Sequence, residues 1–394
     1  MEKTRFIIWA LGLVILLSSC NKNPKKNLFE FVDSKKSGLD FENTITENDS
    51  VNPSDCLNCF NGGGVGIGDF NNDGLSDIVF TGNQVSSALY LNKGSLEFED
   101  ISAEANFMTD SWITGVSIVD INADGFDDIY LNVAGVNCEN NCPNLLFINQ
   151  GLNKEGIPTF LEQAKDYGLD DGNYATQSVF FDYDQDGDLD VYIVHNKNST
   201  KFSRNSPRPK QYWPEYLSDY LLRNDVVDGI DHPVFTNVSK EMNITHKGFG
   251  LGVGIADFNN DQLIDVYVSN DFITEDLLYI NRAHQDSLNP AFKESNKEYV
   301  GHMTINGMGM DISDINNDGL WDILVLDMLP NSYNRQKRVL GGMNYAAHMS
   351  ITGNDYTAQY MRNTLQLGNG QLIGQPVRSS EGGLWGGSSR SEGS

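Results

Sequence analysis

The sequence predicts an all-β fold, a β-propeller of four-stranded blades with about five blades present and helical insertions between strands. Three observations predict it. A nine-residue acidic loop recurs five times, strand-like runs flank every copy, and further strand motifs extend the copies to units of about four strands. The loops begin at Asp69, Asp120, Asp182, Asp257 and Asp314, which spaces them 51, 62, 75 and 57 residues apart. Self-similarity at such a period implies stacked blades, because a lone four-stranded sheet cannot bury both faces and a series of them can.

The loops read DFNNDGLSD, DINADGFDD, DYDQDGDLD, DFNNDQLID and DINNDGLWD. Positions 1, 3, 5 and 9 carry side-chain oxygens, and position 7 can lend its backbone carbonyl. Calcium takes about six to eight such oxygens, whereas sulfur and imidazole, which zinc and copper favour, are absent from these positions. The candidate ligand sets are Asp69, Asn71, Asp73, Leu75 and Asp77; Asp120, Asn122, Asp124, Phe126 and Asp128; Asp182, Asp184, Asp186, Asp188 and Asp190; Asp257, Asn259, Asp261, Leu263 and Asp265; and Asp314, Asn316, Asp318, Leu320 and Asp322. About four to five calcium ions are expected. Glycine at position 6 permits the sharp turn in four copies. Gln262 stands there in copy four, which predicts a more strained backbone or a weaker site.

The flanks separate these loops from EF-hands, which have helices on both sides and a Glu at position 12. Here apolar residues alternate before the loop, as in Val65 and Ile67, Val116 and Ile118, Val253 and Ile255, and Met310 and Ile312. Short β-branched or aromatic runs follow it, such as Ile129-Tyr130-Leu131 and Val266-Tyr267-Val268, as suits strands covered on both faces. Each loop is therefore a hairpin connection. A further strand motif appears as ALYLNKG from Ala88, LLFINQG from Leu145, LLYINRA from Leu277 and TLQLGNG from Thr364. Another appears as FEDISAEANF from Phe98, FLEQAKDYGL from Phe160 and FTNVSKEMNI from Phe235.

These motifs resemble the FG-GAP/VCBS-repeat family, whose seven-bladed propeller also occurs in integrin α-subunits. NGGGVGIGDFNNDGLSDIVFTGN from Asn61, LDMLPNSYNRQK from Leu326 and QYMRNTLQL from Gln359 are similar to large lipoproteins of Bacteroidetes-type bacteria that often end in an ASPIC/UnbV domain. The resemblance covers residues 28–368. It implies calcium and a propeller and says little about the ligand, since the fold serves adhesion, glycan binding and some lyases.

Lys3 and Arg5 precede an apolar run from Phe6 to Leu17, too short to span a bilayer and suited to a signal-peptide core. Leu17-Ser18-Ser19-Cys20 reads as a lipobox. Residues 1–19 are then a lipoprotein signal peptide, Cys20 is the lipidated residue and 20–27 form a tether. Asn21 after the cysteine favours the outer membrane, with the face left open. The other cysteines, Cys56 and Cys59, and Cys138 and Cys142, form two local pairs. Two short-range disulfides in an oxidising compartment are the first reading, and a four-cysteine zinc site is the alternative.

Lysine and arginine total 27 against 54 acidic residues, for a net charge of −27. That balance argues against a nucleic-acid partner, which needs a basic footprint. Two segments, 196–233 and 329–362, break the repeat and are aromatic-rich and locally basic. Tyr212, Trp213, Tyr216 and Tyr220 suit either stacking on a sugar or partner, or packing. The six histidines form no helical pair and no nucleophile elbow or phosphate loop is present, so no catalytic residue is assigned. Residues 369–394 read as a Gly/Ser-rich tail outside the repeat, consistent with a truncated or frameshifted product. Phe29 to Ser34 resembles an outer blade strand of the kind that completes a propeller's last blade, but with five loops and a fifth unit that runs into the Gly/Ser tail the expectation is an open arc of about five blades with that strand unpaired or misdocked. The resulting expectation is a calcium-binding lipoprotein of the cell envelope that recognises a glycan or surface protein. The alternative is a polysaccharide lyase or hydrolase on the same scaffold, using Arg335 or Lys337.

Overall fold

The computed structural model describes residues 28–49, 51–52, 59–135, 141–197, 212–271, 274–284, 291–330, 332–339, 349, 353–354 and 356–369. Within them the repeat is a series of antiparallel sheets, each a meander in sequence order. Blade one comprises β1 (Val65–Gly68), β2 (Asp77–Phe80), β3 (Ala88–Asn92) and β4 (Phe98–Asp100). Blade two comprises β5 (Ile113–Val119), β6 (Asp128–Val133), β7 (Leu145–Leu152) and β8 (Pro158–Glu162). Blade three comprises β9 (Ala175–Phe181), β10 (Asp190–His195), β11 (Tyr220–Asp225) and β12 (Val234–Asn237). Blade four comprises β13 (Gly250–Ala256), β14 (Asp265–Asn270), β15 (Leu277–Asn281) and β16 (Phe292–Glu294). Next, β17 (Met303–Thr304) pairs in parallel with β20 (Gln359–Tyr360). Blade five is three-stranded: β18 (Gly307–Ser313), β19 (Asp322–Asp327) and β21 (Thr364–Gln366). The all-β fold of four-stranded, propeller-type blades is thus the architecture found.

Every residue of β6, β10 and β14 is buried, as expected of a strand covered on both faces. The core lies between blades rather than within one. Phe70 and Leu89 meet Leu131 and Phe147 between blades one and two. Tyr130 and Leu146 meet Val191 and Ile193 in the next layer. Tyr192 and Val194 meet Val266 and Val268 in the third, and Tyr267 and Leu278 meet Ile323 and Val325 in the last.

First strands stack in succession, β1 on β5, β5 on β9, β9 on β13 and β13 on β18. Glycine makes this approach possible. A Cβ on Gly115 would lie 2.6 Å from the Thr176 carbonyl oxygen of the next blade. Gly64 and Gly252 hold the same position and would meet Val116 at 2.8 Å and Met310 at 3.0 Å. Gly309, the counterpart in blade five, would meet nothing within 4 Å. At the other end, Val65 and Ile67 are 61% and 64% exposed. Among the described residues, nothing therefore packs on the outward side of β1 at Val65 and Ile67 or within 4 Å of a Cβ on Gly309 in β18.

Outer corners follow one rule. The chain turns through a left-handed residue after a blade's last strand and seats on the next blade's outer phenylalanine. Asn106 (φ 55°) donates its Nδ2–H to the Phe160 carbonyl at 3.0 Å, and Asn243 (φ 66°) does so to Phe292 at 3.1 Å. Gly168 (φ 73°) seats against the Phe235 carbonyl, and Gly38 (φ 78°) against that of Phe98. The segment before blade one thus docks as a blade end would. Its expected strand at Phe29 to Ser34 is not formed: residues 28–33 are irregular, Ser34–Ser37 is a helical turn, and Phe29 and Phe31 are 90% and 89% exposed. Among the described residues no strand pairs with it.

The repeat-breaking segments are shorter than the sequence suggested. Tyr220–Asp225, inside the expected 196–233 insertion, is the third strand of blade three, pairing with Val191 to Ile193 on one side and Val234 to Asn237 on the other. Gln359–Tyr360, inside 329–362, is β20. The described helical parts of these insertions include a 3-10 turn, Glu215–Leu217, and a helix, Tyr333–Val339.

Candidate metal-binding rim

All five acidic loops connect the first strand of a blade to its second, β1 to β2, β5 to β6, β9 to β10, β13 to β14 and β18 to β19. They therefore share one rim. Their backbones agree closely. Position 4 is left-handed in each, at Asn72, Ala123, Gln185, Asn260 and Asn317, with φ from 56° to 59°. Position 6 is left-handed as well, and Gln262 adopts it at φ 72° without the freedom of glycine. Copy four thus carries the strained backbone its sequence foretold.

Position 1 organises the turn. Asp69 accepts from the N–H of Asp73 at 3.0 Å and of Gly74 at 2.8 Å. Asp120, Asp182, Asp257 and Asp314 accept from their own positions 5 and 6 in the same way. Position 3 is an amide in four loops. There Asn71, Asn122, Asn259 and Asn316 donate Nδ2–H to the carboxylates of Asp73, Asp124, Asp261 and Asp318 at 2.9–3.0 Å. Position 5 also accepts from the N–H of position 7, at Leu75, Phe126, Asp188, Leu263 and Leu320.

Position 9 differs from the rest. Asp77, Asp128, Asp190, Asp265 and Asp322 are fully buried. One oxygen of each accepts from the N–H of position 2, as Asp77 does from Phe70 at 3.0 Å. The other accepts a backbone N–H from the third strand of the same blade, at Asn92, Asn149, Asn224 and Asn281, or in blade five from Gly368 just past that strand's end, at 2.7–2.9 Å. This carboxylate ties the hairpin to its neighbouring strand, a role the spacing alone did not disclose. Burial pushes Asp77 up to about 6, Asp128 and Asp190 to about 7, and Asp265 to about 8; the backbone donors oppose that, and nearby loop carboxylates add to it.

Loop three is the most acidic. Asp182, Asp184 and Asp190 each present a carboxylate oxygen, and these atoms lie within 4.8 Å of one another. Among the described residues, Asp184 Oδ1 and Asp188 Oδ1 are buried without a hydrogen-bond partner. Burial and the neighbours Asp186 and Asp184 push Asp188 to about 6. Three carboxylates converging with orphaned oxygens are a donor set suited to a hard cation.

The other sequence candidates fare differently. Cys59 and Cys142 are disulfide-bonded and buried, while Cys20, Cys56 and Cys138 lie outside the described residues. Trp213 is buried against Phe249 and donates its Nε1–H to the Tyr356 hydroxyl at 2.8 Å, which joins the two insertions. Tyr220 sits on β11 and its hydroxyl accepts from Asn173. Lys197 lies over the Tyr174 and Tyr216 rings at 4.6 and 5.1 Å. Of the four aromatics expected in this segment, Tyr212 is the one left largely exposed, at 66%. Arg335 is exposed on the Tyr333–Val339 helix, and Lys337 covers the Tyr333 ring at 4.4 Å.

The polar role of one set of strand residues was not read from the sequence. The second strands carry Tyr130, Tyr192 and Tyr267, each two residues after position 9 and each fully buried. Tyr192 and Tyr267 donate their hydroxyls to Asp219 at 2.9 Å and Asp276 at 2.7 Å. Tyr130 instead accepts from Asn144 Nδ2 at 2.9 Å. Each Asx residue also accepts a backbone N–H from the end of the second strand: Val133, His195 and Asn270. The recurring Asp-x-Tyr after each of these loops was the available signal.

Residues 69–131 and 257–325 match the FG-GAP-like repeat, and both matches start at position 1 of a loop. The chain is 26% identical over 242 residues to cartilage acidic protein 1 of Mus musculus, covering 60% of this chain and 32% of that protein. Its Homo sapiens counterpart is 26% identical over 243 residues, 60% of this chain and 31% of its own length. The chain thus spans only those shares of the curated relatives it matches. Among solved structures, the V. cholerae biofilm matrix protein Bap1 superposes with a TM-score of 0.32 and 11% identity, covering 66% of this chain and 34% of that one. A superposition of that quality supports no argument about fold or ligand.

Proposed function

We propose that the chain is a calcium-binding recognition module of the cell envelope, held by a lipid at Cys20 and directed at a glycan or a surface protein. The observation that carries the calcium reading is loop three, where Asp182, Asp184 and Asp190 converge within 4.8 Å. The residues present fit the ion. Every side-chain ligand atom is oxygen, and Asp184 and Asp188 hold buried oxygens with no partner among the described residues. The candidate ligands are positions 1, 3, 5 and 9 with the position 7 carbonyl, and Asp188 adds a carboxylate in loop three. The bound ion would supply positive charge where position 9 carboxylates are buried, and so would favour their ionised form. The net charge of −27 points the same way, since about four to five divalent ions relieve much self-repulsion.

Recognition rather than catalysis is supported by what the described residues do. The loop carboxylates are engaged in organising hairpins, and Trp213 joins the insertions rather than lining an open cleft. The test is elemental analysis and a melting curve with and without EDTA. Several bound ions and a sharp fall in melting temperature are expected; an unchanged curve with no calcium would sink the metal reading. A glycan panel read for both retention and new reducing ends separates binding from the lyase or hydrolase alternative. Turnover that vanishes in Arg335→Ala or Lys337→Ala would decide for an enzyme.

A further inference from the structure

The five loops share a rim, but they are not equally joined. Asn72, position 4 of loop one, donates its Nδ2–H to the Gly125 carbonyl, position 6 of loop two, at 2.9 Å. Gln185, position 4 of loop three, donates its Nε2–H to the Gln262 carbonyl, position 6 of loop four, at 2.7 Å. A second pair of amides repeats the arrangement from the third strands. Asn149 of blade two reaches back to the Phe70 carbonyl of loop one at 2.9 Å while also holding the Asp127 carbonyl of its own loop at 3.3 Å. Asn281 of blade four does the same to Tyr183 of loop three at 2.7 Å and Ile264 of its own loop at 3.2 Å.

Among the described residues no such bridge joins loop two to loop three or loop four to loop five, and Asn260, position 4 of loop four, makes no bond to loop five although it is the same residue type as Asn72. Position 4 of loop two is Ala123, which has no amide to offer loop three. Asn224 of blade three holds the Leu189 carbonyl of its own loop at 3.4 Å, and no bond from it to loop two is present among the described residues. In blade five the third-strand position is Gly368, which keeps the backbone bond to Asp322 and has no side chain to bridge with.

We propose that the rim fills in two coupled pairs, loop one with loop two and loop three with loop four, while loop five fills alone. This rests on the calcium reading above. The bridged carbonyls flank ligand positions: Gly125 and Gln262 precede the position 7 carbonyls, and Phe70 and Tyr183 follow position 1. An ion that orders one loop therefore fixes the amide its neighbour needs, and the second ion orders less chain on binding. Such coupling is reciprocal within a pair.

The experiment is calcium titration calorimetry on the full chain after chelation, comparing wild type with Asn72→Ala and Gln185→Ala. Alanine suits this backbone, since Ala123 occupies position 4 of loop two at φ 57°. The number of ions bound should stay the same. Asn72→Ala should weaken loops one and two about 2- to 10-fold and spare the others, and Gln185→Ala should do so for loops three and four, the effect of losing one hydrogen bond. Asn72→Ala is repeated in an Asp120→Ala chain, whose loop two is disabled, and its effect on loop one should then disappear. Isotherms of both single variants that overlay wild type at an unchanged ion count overturn the pairing alone. An Asn72→Ala effect that persists in the Asp120→Ala chain also overturns it, by showing a purely local role. A wild-type chain that binds no calcium overturns the metal reading and the pairing together.

Discussion

Replacing Asp276 by asparagine should make the protein more stable at neutral pH, by an amount that grows with pH. Asp276 is 1% exposed, and its carboxylate accepts from the Asn270 N–H and the Tyr267 hydroxyl. Burial raises it to about 7; these two donors oppose the rise, and Asp327 and Glu275 add to it. Its ordinary value is 3.8, so between pH 4 and 7 the unfolded chain is ionised while the folded chain keeps the proton. A raised carboxyl stabilises the fold below its unfolded value and loses that contribution as pH climbs through the folded one. The slope is about 1.4 kcal/mol per pH unit. Asparagine is neutral throughout, and blade two contains that solution: Asn144 accepts from Val133 N–H and donates to the Tyr130 hydroxyl. Urea unfolding at saturating calcium, at pH 5, 6, 7 and 8, reads the difference between variant and wild type, in which shared loop acids cancel. That difference should move in favour of Asp276→Asn by about 2–3 kcal/mol from pH 5 to 7 and then level off. A flat difference, or a variant less stable at pH 8, refutes the reasoning.

Gly115→Ala should cost about 1–3 kcal/mol, because its Cβ meets the Thr176 carbonyl at 2.6 Å, whereas Gly309→Ala at the equivalent position of blade five should fall within about 0.5 kcal/mol of wild type; equal urea midpoints for the two would contradict the stacking described. Asp322→Ala should remove one calcium by elemental analysis and also lower stability by about 2–5 kcal/mol even in EDTA, since it strips the acceptor from the Ile315 and Gly368 N–H groups. Should the destabilisation vanish in EDTA, the carboxylate would be a ligand without the structural role. Cys20→Ser should release the protein from the membrane fraction, and failure of labelled palmitate to enter the wild type would exclude the anchor.

The loops and their flanking strands were legible because everything that defines them is local. Ligand spacing, the position 6 glycine and the β-branched runs lie within about ten residues of one another, so periodicity and turn chemistry suffice. The third strand of blade three was missed for the opposite reason. Leu221-Leu222-Arg223-Asn224 carries the same motif as Leu145-Leu146-Phe147-Ile148-Asn149, but a long insertion precedes it and arginine breaks its apolar run. The aromatics around Trp213 left stacking and packing open, and the choice for packing was made by Phe249 and Tyr356, the latter 143 residues away.

By itself the sequence determined the repeat, the blade type, the oxygen-rich loops and the strain at Gln262, all consequences of short-range backbone and side-chain chemistry. Only the tertiary structure decided what those residues face. It set both oxygens of each position 9 aspartate on backbone donors, closed Gly115 against the next blade while leaving Gly309 open, and left Phe29 and Phe31 exposed outside any strand. It also bridged loop one to two and three to four through Asn72 and Gln185, across 53 and 77 residues. Spacing along the chain fixes which groups a loop holds. Which neighbour they meet depends on how blades stack, and that is set by burial between sheets whose strands are far apart in sequence.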